Sequence, residues 1–399
     1  MFSFELFAKE GDARAGRLIT PHGPIETPSF VTVGTQAAVK AMSVGDLRKV
    51  GSQIIIVNAY HLHLQPGENL IEEVGGLHRF MGWNSPLMTD SGGFQIFSLG
   101  AAREHGVGKV ASIFPEHADR GGHFKSKKRK PLVRIDEDGV DFISYLDGSL
   151  HRFTPRRVID LQIKLGADII FVLDECTSPL HDYQYTKEAL KRTQRWALQA
   201  LDEFHHRPNK SQALMGIVQG GAYQDLREQC AQFISEQGFD GYAIGGSLGK
   251  SKMDMCRVLE WTIPILPQKK PRHLLGIGEI EDIFEIIQRG IDLIDCVLPT
   301  RMANTGTLFV KDAKHFRVHI YNMQFKDDPR PVELGCVCYT CRHYSRAYLR
   351  HLFMAKEPLA THLATIHNLY FIESLMKQIR VAIKERGFKQ LKKEWLYSS

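Results

Sequence analysis

Three carboxylates and one carboxamide stand at or near the ends of apolar runs in this sequence, and their types could together do chemistry. Asp90 follows PLMT, Asp174 follows IIFVL, Gln219 follows GIV, and Asp295 lies within IDLIDCVLPT. An ionised carboxylate is a competent nucleophile at a sugar carbon, and a second carboxyl group can carry the proton, as in retaining glycosyl transfer. The pattern assigns these two roles to Asp295 and Asp90.

The remaining acid and the carboxamide match the edge of a guanine-like base. Asp174 can accept from the ring N–H and the exocyclic amine, while Gln219 and the backbone N–H of Gly246 can donate to the carbonyl oxygen. Glycines in TDSGGFQIFSLG allow the backbone to approach a flat ligand closely. Each residue alone is also an ordinary turn residue, but their recurrence at successive strand ends favours one polar pocket.

The elements that position these residues follow from hydrophobic periodicity. From about residue 50 onward, short runs rich in Ile and Val alternate with amphipathic stretches, a pattern typical of βα units. Strands are predicted at Gln53–Asn58, Leu87–Thr89, Asp168–Leu173, Ala213–Gln219, Tyr242–Gly245, His273–Ile277 and Leu293–Leu298. The clearest helices are predicted at Thr186–His206, Gln224–Gln237, Lys252–Thr262 and Ile280–Arg289. Seven or eight such units predict an α/β fold, a (β/α)8 barrel with its active site at the C-terminal strand ends, and a doubly wound sheet is the alternative.

A cysteine cluster near the C-terminus predicts a metal site. Cys336, Cys338 and Cys341 are three of seven cysteines and lie within six residues, a spacing that suits a tetrahedral structural zinc. The fourth ligand can come from several downstream histidines, among which spacing does not choose: His343, His351, His362 and His367. Because the pattern changes after Phe309, we expect residues 1–310 to form the barrel and residues 311–399 to form a zinc-binding subdomain with C-terminal helices.

Composition and charge narrow the function classes. At 43% hydrophobic and 24% charged residues, the chain is typical of a globular protein rather than a disordered, collagenous or coiled-coil one. No apolar run reaches membrane-spanning length and the first residues lack a basic leader, so we expect a cytoplasmic protein. The net charge of +6 arises from residues 120–134, which hold seven Lys or Arg and no acid. Such a segment favours RNA as a partner, or else is a solvated loop without one.

Seven motifs occur in collinear order across nearly the whole chain, and together they resemble a tRNA-guanine transglycosylase of the bacterial type. They are TDSGGFQIFSLG, FVLDECTSP, GIVQGG, GFDGYAIGG, GIDLIDCVLPTR, C-x-C-x2-C and TIHNL. The resemblance implies an irregular (β/α)8 barrel with a zinc-binding subdomain. It also implies exchange of guanine at the anticodon wobble position for a 7-deazaguanine, in queuosine tRNA modification, without cleavage of the RNA backbone.

The resemblance assigns roles to particular residues. It implies that Asp295 attacks the ribose C1′ to give a covalent RNA–enzyme intermediate, that Asp90 accepts and donates the proton, and that His367 is the fourth zinc ligand. The implied substrate-binding residues are Asp90, Ser91, Gly92, Gly93, Phe94, Asp174, Gln219, Gly246 and Leu275. The implied anticodon-loop contacts are Gly276, Ile277, Gly278, Glu279, Ile280, Glu281, Asp282, Thr300, Arg301, Met302, Ala303 and Asn304. A homodimer is also implied, in which one subunit catalyses while the other positions the RNA.

This sequence departs from the family pattern at three places. After Gly246, the family usually continues Leu-Ala-Val-Gly-Glu, whereas this chain has Ser247–Lys250, which is one residue shorter and lacks the acid. That departure leads to the hypothesis that queuine, rather than 7-aminomethyl-7-deazaguanine, is the incoming base. The segment Thr300–Asn304 lacks a second Arg. The stretch 101–132 is longer than the family's usual loop and contains the basic run, for which an anticodon-arm ligand favours RNA contact over a solvated loop.

Two other function classes remain as alternatives. The first is a non-catalytic RNA-binding partner subunit, whose mark would be the loss of a catalytic carboxylate, but Asp90 and Asp295 are both present. The second is an unrelated zinc-dependent barrel hydrolase, which would need His and carboxylate ligands at strand ends, whereas the thiolates here lie outside the barrel. Catalytic base exchange is therefore the favoured interpretation.

Overall fold

The structure is a computed structural model that describes residues 2–104, 133–207 and 211–397. The chain divides into two compact units. The first unit comprises Met1–Glu5, Leu18–Pro24 and Val57–Leu275, and the second comprises Leu6–Arg17, Ile25–Ile56 and Gly276–Ser399. Most of the basic insertion predicted at 101–132 lies outside the described residues.

The chain begins with a three-stranded sheet that the periodicity did not predict. It consists of β1 (Ser3–Glu10), β2 (Ala13–Thr20) and β3 (Gly23–Thr27). The next strand, β4 (Ser29–Val33), belongs to the barrel although it precedes residue 50, where we expected the alternating pattern to start. The pattern of apolar runs does not identify β4, because the strand contains polar residues that are buried. The Thr32 hydroxyl, for example, lies 3.0 Å from the Ser52 hydroxyl.

Helices and strands then alternate up to the gap at 105–132. In chain order these elements are α1 (Val44–Val50), β5 (Ile55–Asn58), α2 (Ala59–Leu64), α3 (Glu68–Glu73), α4 (Leu77–Met81), β6 (Leu87–Asp90) and α5 (Gly93–Glu104). After the gap, a three-stranded antiparallel sheet is formed by β7 (Val133–Ile135), β8 (Val140–Ile143) and β9 (Leu150–Phe153). This sheet was not predicted, because its strands are only three or four residues long and carry polar residues.

Regular βα alternation continues through the middle of the chain. The elements are α6 (Pro155–Leu165), β10 (Ile169–Phe171), α7 (Tyr183–His206), β11 (Ala213–Val218), α8 (Gln224–Ser235), β12 (Gly241–Ile244), α9 (Lys252–Thr262), β13 (Arg272–Leu274), α10 (Ile280–Gln288) and β14 (Leu293–Cys296). Eight strands close into a barrel in the order β4, β5, β6, β10, β11, β12, β13, β14. The predicted (β/α)8 barrel is therefore confirmed, and the doubly wound alternative is wrong.

Buried strands explain why the barrel was predictable. All residues of β5, β10, β11 and β12 are buried, as expected where helices cover the outside of a parallel sheet and side chains fill its interior. The seven predicted strands all occur, and their observed ends differ from the predicted ones by at most three residues. The four predicted helices occur within the same limits.

The C-terminal part is mainly helical. It contains α11 (Leu298–Asn304), β15 (Thr307–Phe309), β16 (Arg317–His319), α12 (Tyr339–His343), α13 (Arg346–Met354), α14 (Pro358–Lys384) and α15 (Phe388–Leu396). A buried apolar cluster joins α13 and the start of α14 to the cysteine motif, and it includes Leu308, Ile320, Val332, Leu349 and Leu363. In the ranges that the structure describes, no helix combines the length and hydropathy that a bilayer crossing requires.

Candidate active site and metal centre

Asp90 ends β6, and its carboxylate accepts hydrogen bonds from several donors of the first unit. The side-chain amides of Asn58 and Gln95 donate to Oδ2 at 2.5 and 3.2 Å. The backbone N–H groups of Ala59 and Gly92 donate to Oδ1 at 3.0 and 3.1 Å. Because the carboxylate is only half-buried, it combines a fixed orientation with access for a ligand.

Asp174 and Gln219 form a buried pair three residues beyond β10 and one residue beyond β11. Gln219 Nε2 donates to Asp174 Oδ2 at 2.5 Å, and the two residues are 6% and 2% exposed. Burial raises the pKa of Asp174 to about 6, while hydrogen bonds from Gln219 and Ser91 act in the opposite direction. Within the described chain, Gln219 Oε1 has no hydrogen-bond partner. A buried polar atom without a partner is costly, so this pair is suited to a polar ligand.

The glycine pair after Asp90 lets two loops approach each other. A Cβ on Gly93 would lie 2.9 Å from the backbone oxygen of Asp174, which is closer than side chains tolerate. Ser91 is buried, and its Oγ accepts from the Gly93 N–H at 3.3 Å. Phe94 is 52% exposed, so its ring is open to a ligand rather than used in the core.

Gly246 lies two residues beyond β12 and faces Gln219. Its φ of +74° belongs to the left-handed region, and a Cβ there would lie 2.0 Å from Gln219 Oε1. Glycine is therefore required both by conformation and by space. Leu275 lies nearby, because its Cδ1 would be 3.4 Å from a Cβ on Gly245. The structure thus brings together the residues predicted to bind a base.

The loop that carries Asp174 is anchored through its neighbour, Glu175. Arg192 Nε donates to Glu175 Oε2 at 2.7 Å, and the Tyr185 hydroxyl donates to Oε1 at 2.9 Å. The Glu175 backbone N–H donates to Thr193 Oγ1 at 3.0 Å. All three partners lie on α7, so this helix fixes the position of the loop that carries Asp174.

In the second unit, Asp295 lies on β14 and is half-buried. The Gly276 N–H donates to Asp295 Oδ1 at 3.2 Å. The adjacent Cys296 is a potential competing nucleophile, but burial raises the pKa of its thiol to about 12. A neutral thiol is a poor nucleophile, so of these two neighbouring side chains the Asp295 carboxylate is the better candidate for that role.

The residues predicted to contact the anticodon loop fall into a buried group and an exposed group. Seven are buried and cannot present side chains to RNA: Ile277, Gly278, Ile280, Asp282, Thr300, Met302 and Ala303. Five are at least partly exposed: Gly276, Glu279, Glu281, Arg301 and Asn304. A cleft of about 500 Å³ lies beside Met302 and is lined by three basic side chains, Lys314, Arg317 and His319. Among these five, Arg301 is the basic residue, so contact with a polyanion would use Arg301 and the cleft rather than the carboxylates of Glu279 and Glu281, the first of which pairs with Arg317.

The cysteine cluster has the composition and spacing of a closed tetrahedral metal site. His367 Nδ1 lies 3.9, 3.6 and 3.3 Å from the Sγ atoms of Cys336, Cys338 and Cys341. A tetrahedral zinc with bonds of about 2.3 Å to sulfur and 2.0 Å to nitrogen separates these atoms by about 3.5 Å. His367 Nε2 lies 2.7 Å from the Phe309 carbonyl oxygen, an acceptor, so the ring carries its proton there and leaves Nδ1 free for a metal.

The other candidate histidines are not part of this group. His343 is exposed at the end of α12, and His362 Nδ1 lies 2.7 Å from the Ala41 carbonyl oxygen. The four residues that the structure brings together are Cys336, Cys338, Cys341 and His367. They can hold one metal ion and leave no position open for a substrate.

Three residues that contribute to these sites were not identified from the sequence. Asn58 is a polar residue at the end of a predicted strand, and the same feature identified Asp90. Gln95 lies inside the motif TDSGGFQIFSLG, where nothing in the sequence distinguishes it from its neighbours. Glu175 follows Asp174 directly, and a second acid at that place had no assigned role. All three act by holding a predicted residue.

Comparison with known proteins agrees with the geometry. The family model described as queuine tRNA-ribosyltransferase matches residues 9–129 and 118–399. A protein of Archaeoglobus fulgidus, provisionally named a queuine tRNA-ribosyltransferase, is 50% identical over 96% of this chain and 96% of its own length. The queuine tRNA-ribosyltransferases of Roseiflexus sp. and Halothermothrix orenii are 45% and 46% identical, each over 99% of this chain and 98% and 97% of their own lengths.

Likeness of this extent covers both the barrel and the cysteine cluster. The chain therefore belongs to the queuine tRNA-ribosyltransferase family, whose members are pentosyltransferases of tRNA modification.

Proposed function

We propose that this protein exchanges guanine at the wobble position of a tRNA anticodon for a 7-deazaguanine base. The buried Asp174–Gln219 pair carries the proposal, because the carboxylate offers an acceptor, the side-chain amide offers a donor, and Gln219 Oε1 has no partner among the described residues. Both carboxylates that the reaction needs are present at the carboxyl ends of barrel strands. The test is exchange of labelled guanine into unmodified tRNA, and binding of tRNA without exchange would favour a non-catalytic subunit instead.

The reaction that we propose has two displacements at the ribose. An Asp295 carboxylate oxygen attacks C1′, the bond from C1′ to guanine N9 breaks, and the electron pair stays on the leaving base. The incoming base then attacks C1′ through N9 and expels Asp295. Two inversions retain the configuration, and the phosphodiester backbone stays intact.

Asp90 would move the proton between the two bases. In its protonated form it gives a proton to N9 of the leaving guanine, and the resulting carboxylate takes the N9 proton from the incoming base, so Asp90 ends in the form in which it began. Since both carboxylate oxygens already accept hydrogen bonds, one donor has to give way when Asp90 acts. Gln95 is suited to this, because its bond is the longest of the four and its Oε1 is without a partner in the described structure.

Ionisation of Asp174 should control base recognition. Because its pKa is raised to about 6, a fall in pH below that value protonates it and places an O–H donor opposite the N–H groups of guanine. We expect kcat/KM for free guanine to fall by about tenfold per pH unit below this point. The measurement is guanine exchange between pH 5 and 8.

The Asp174→Asn variant is the control for this profile. It should be less active at neutral pH and should lack the inflection near pH 6. An inflection that survives in the variant, or a flat wild-type profile, would assign the acid limb to another group.

We further propose that queuine is the preferred incoming base. Ser247 and Leu248 are buried, and the chain then turns directly into α9. The carboxylate of Asp254 accepts from the N–H groups of Lys250 and Ser251 at 2.9 and 3.2 Å and so belongs to the helix cap. Among the described residues, the segment Ser247–Lys250 therefore presents no free acid to the small cationic aminomethyl group, whereas queuine would add contacts through its cyclopentenediol.

Parallel incorporation assays test this preference. A missing charged partner is worth about 1.5–3 kcal/mol, so we expect kcat/KM for queuine to exceed that for 7-aminomethyl-7-deazaguanine by about tenfold or more. Efficient incorporation of the aminomethyl base with no incorporation of queuine would refute the proposal.

We propose that the basic insertion binds the tRNA backbone. Each lost phosphate contact lowers the slope of log K against log[salt] by about 0.7–0.9, so replacing four cations should weaken tRNA binding and flatten its salt dependence. The substitutions are to Ala at Lys127, Lys128, Arg129 and Lys130. Affinity for the free base should not change.

A matched variant removes the same charge elsewhere. Four exposed lysines on α14 and α15 can be replaced by Ala: Lys377, Lys384, Lys389 and Lys393. We expect a smaller effect on tRNA affinity from this variant. Equal effects of the two variants, or an unchanged salt slope in the first, would show that the insertion is a solvated loop without a partner.

We propose that the cysteine cluster holds one structural Zn²⁺. We also propose that the protein forms a homodimer and that this dimer binds tRNA. Zinc is supported by the closed Cys3His ligand set. A dimer is supported by the family resemblance and by exposed side chains beside the metal site, including Val337, Tyr339 and Tyr348. The division at residue 310 between a barrel and a zinc-binding subdomain stays a prediction.

A further inference from the structure

Arg227, on α8, is fully buried, which is unusual for an arginine. In the described part of the chain it pairs with no carboxylate. Burial lowers the pKa of Arg227 to about 10, so the guanidinium remains charged at neutral pH. A buried charge of this kind persists only when its hydrogen-bond donors are satisfied.

The guanidinium donates to four backbone carbonyl oxygens from two loops. Nε donates to Gly221 at 2.7 Å and Nη1 to Val218 at 2.8 Å. Nη2 donates to Gly245 at 3.0 Å and to Ser247 at 2.9 Å. One side chain thus ties the loop after β11 to the loop after β12.

These carbonyl groups flank the two residues that the proposed function assigns to the base carbonyl. Val218 and Gly221 lie on either side of Gln219, and Gly245 and Ser247 lie on either side of Gly246. In a trans peptide the C=O and N–H bonds point in opposite directions. Holding the Gly245 oxygen against Arg227 therefore directs the Gly246 N–H away from the guanidinium, and this N–H is the donor that the proposed function assigns to the base carbonyl.

We propose that Arg227 is a positioning residue that sets the donors of Gln219 and Gly246 in the geometry that binds the base. This inference rests on the proposed function. Lysine cannot replace arginine fully here, because its ammonium is a single point with three donors, whereas the planar guanidinium has five donors in a fixed fork. Arg227 touches neither the base nor the ribose, so its effect passes through the two loops.

Steady-state kinetics of the full-length protein with Arg227→Met and Arg227→Lys test the proposal. Since displacement of a binding group by about 1 Å can cost about 10²-fold, we expect KM for guanine to rise about 10- to 100-fold in Arg227→Met and less in Arg227→Lys. KM for tRNA should stay within about threefold, because the phosphate contacts lie elsewhere. If the Met variant does not fold, the Lys variant decides.

Arg272→Lys is the matched control. Arg272 is also buried, but it lies on β13 and its Nη2 donates to the Leu266 carbonyl oxygen. This variant should lose thermal stability without a selective rise in KM for guanine. A guanine KM within twofold of wild type in both Arg227 variants would overturn the proposal, and so would equal rises in both KM values.

Amide hydrogen exchange separates this inference from the proposed function, because it does not need activity. In Arg227→Lys, segments 219–221 and 245–249 should exchange faster than in wild type, while segment 336–341 should be unchanged. Uniformly faster exchange would indicate general destabilisation and would overturn the positioning role. If the wild-type protein exchanged no guanine, the proposed function would fail, but the exchange result would still decide whether Arg227 holds the loops.

Discussion

Replacing Asp295 with Ala is expected to reduce guanine exchange into tRNA by about 10⁴-fold or more, because it would remove the nucleophile that we propose for the first displacement. The isosteric Asp295→Asn should be equally impaired, since an amide retains the shape but not the charge. Binding of tRNA should change little. The measurement is single-turnover exchange of labelled guanine, with tRNA affinity determined in parallel.

An acid near the other end of the same strand provides a control. Asp292 precedes β14 and is buried, where it pairs with Arg14. Asp292→Asn should lower thermal stability, because it removes the negative charge that pairs with a buried guanidinium, but the folded protein should still exchange guanine. If Asp295→Asn retained exchange near the wild-type rate, another group would have to be the nucleophile.

Loss of a metal ligand is expected to have the largest effect on stability. A structural zinc contributes about 10–16 kcal/mol of binding free energy to folding in small domains. The ligands join α12 to α14, around which the apolar cluster with Leu349 and Leu363 packs. We therefore expect Cys338→Ser to lose its bound metal and to unfold this region at a temperature where the wild-type protein is folded.

Metal content per chain and thermal unfolding check this expectation. Cys256→Ser, on α9 and outside the cluster, should keep one metal ion per chain and a nearly wild-type melting temperature. Chelation of the wild-type protein should reproduce the effect of Cys338→Ser. A Cys338→Ser variant with full metal content and unchanged melting temperature would show that the cluster is not a zinc site.

Much of the barrel could be predicted because its strands are buried on both faces and so appear in the sequence as continuous apolar runs. IIIVN and IIFVL are examples, and both occur as strands close to their predicted positions. The search for apolar runs does not identify a strand whose buried side chains are polar. Thr32 in β4 is buried through a hydroxyl contact with Ser52, and no periodicity rule identifies such a strand.

The candidate site shows the same division between what a pattern indicates and what only packing determines. The positions of Asp90, Asp174 and Gln219 at or just beyond strand ends could be predicted, because polar residues recur there in a regular way, whereas their roles stay predictions. Arg227 could not, because it lies within an amphipathic helix, where an arginine is normally solvated. Exposure likewise restricts the side chains available to RNA in Gly276–Asp282, since helix α10 buries Ile280 and Asp282.

The most direct test of the proposed double displacement is to trap the covalent intermediate that it requires. Wild-type protein would be mixed with tRNA, denatured during turnover and digested, and the peptides would be examined by mass spectrometry. We predict a nucleotide adduct on the peptide that contains Asp295, which is absent from Asp295→Ala and disappears when excess guanine is added before denaturation. An adduct on another residue, or active exchange without any adduct, would contradict the mechanism.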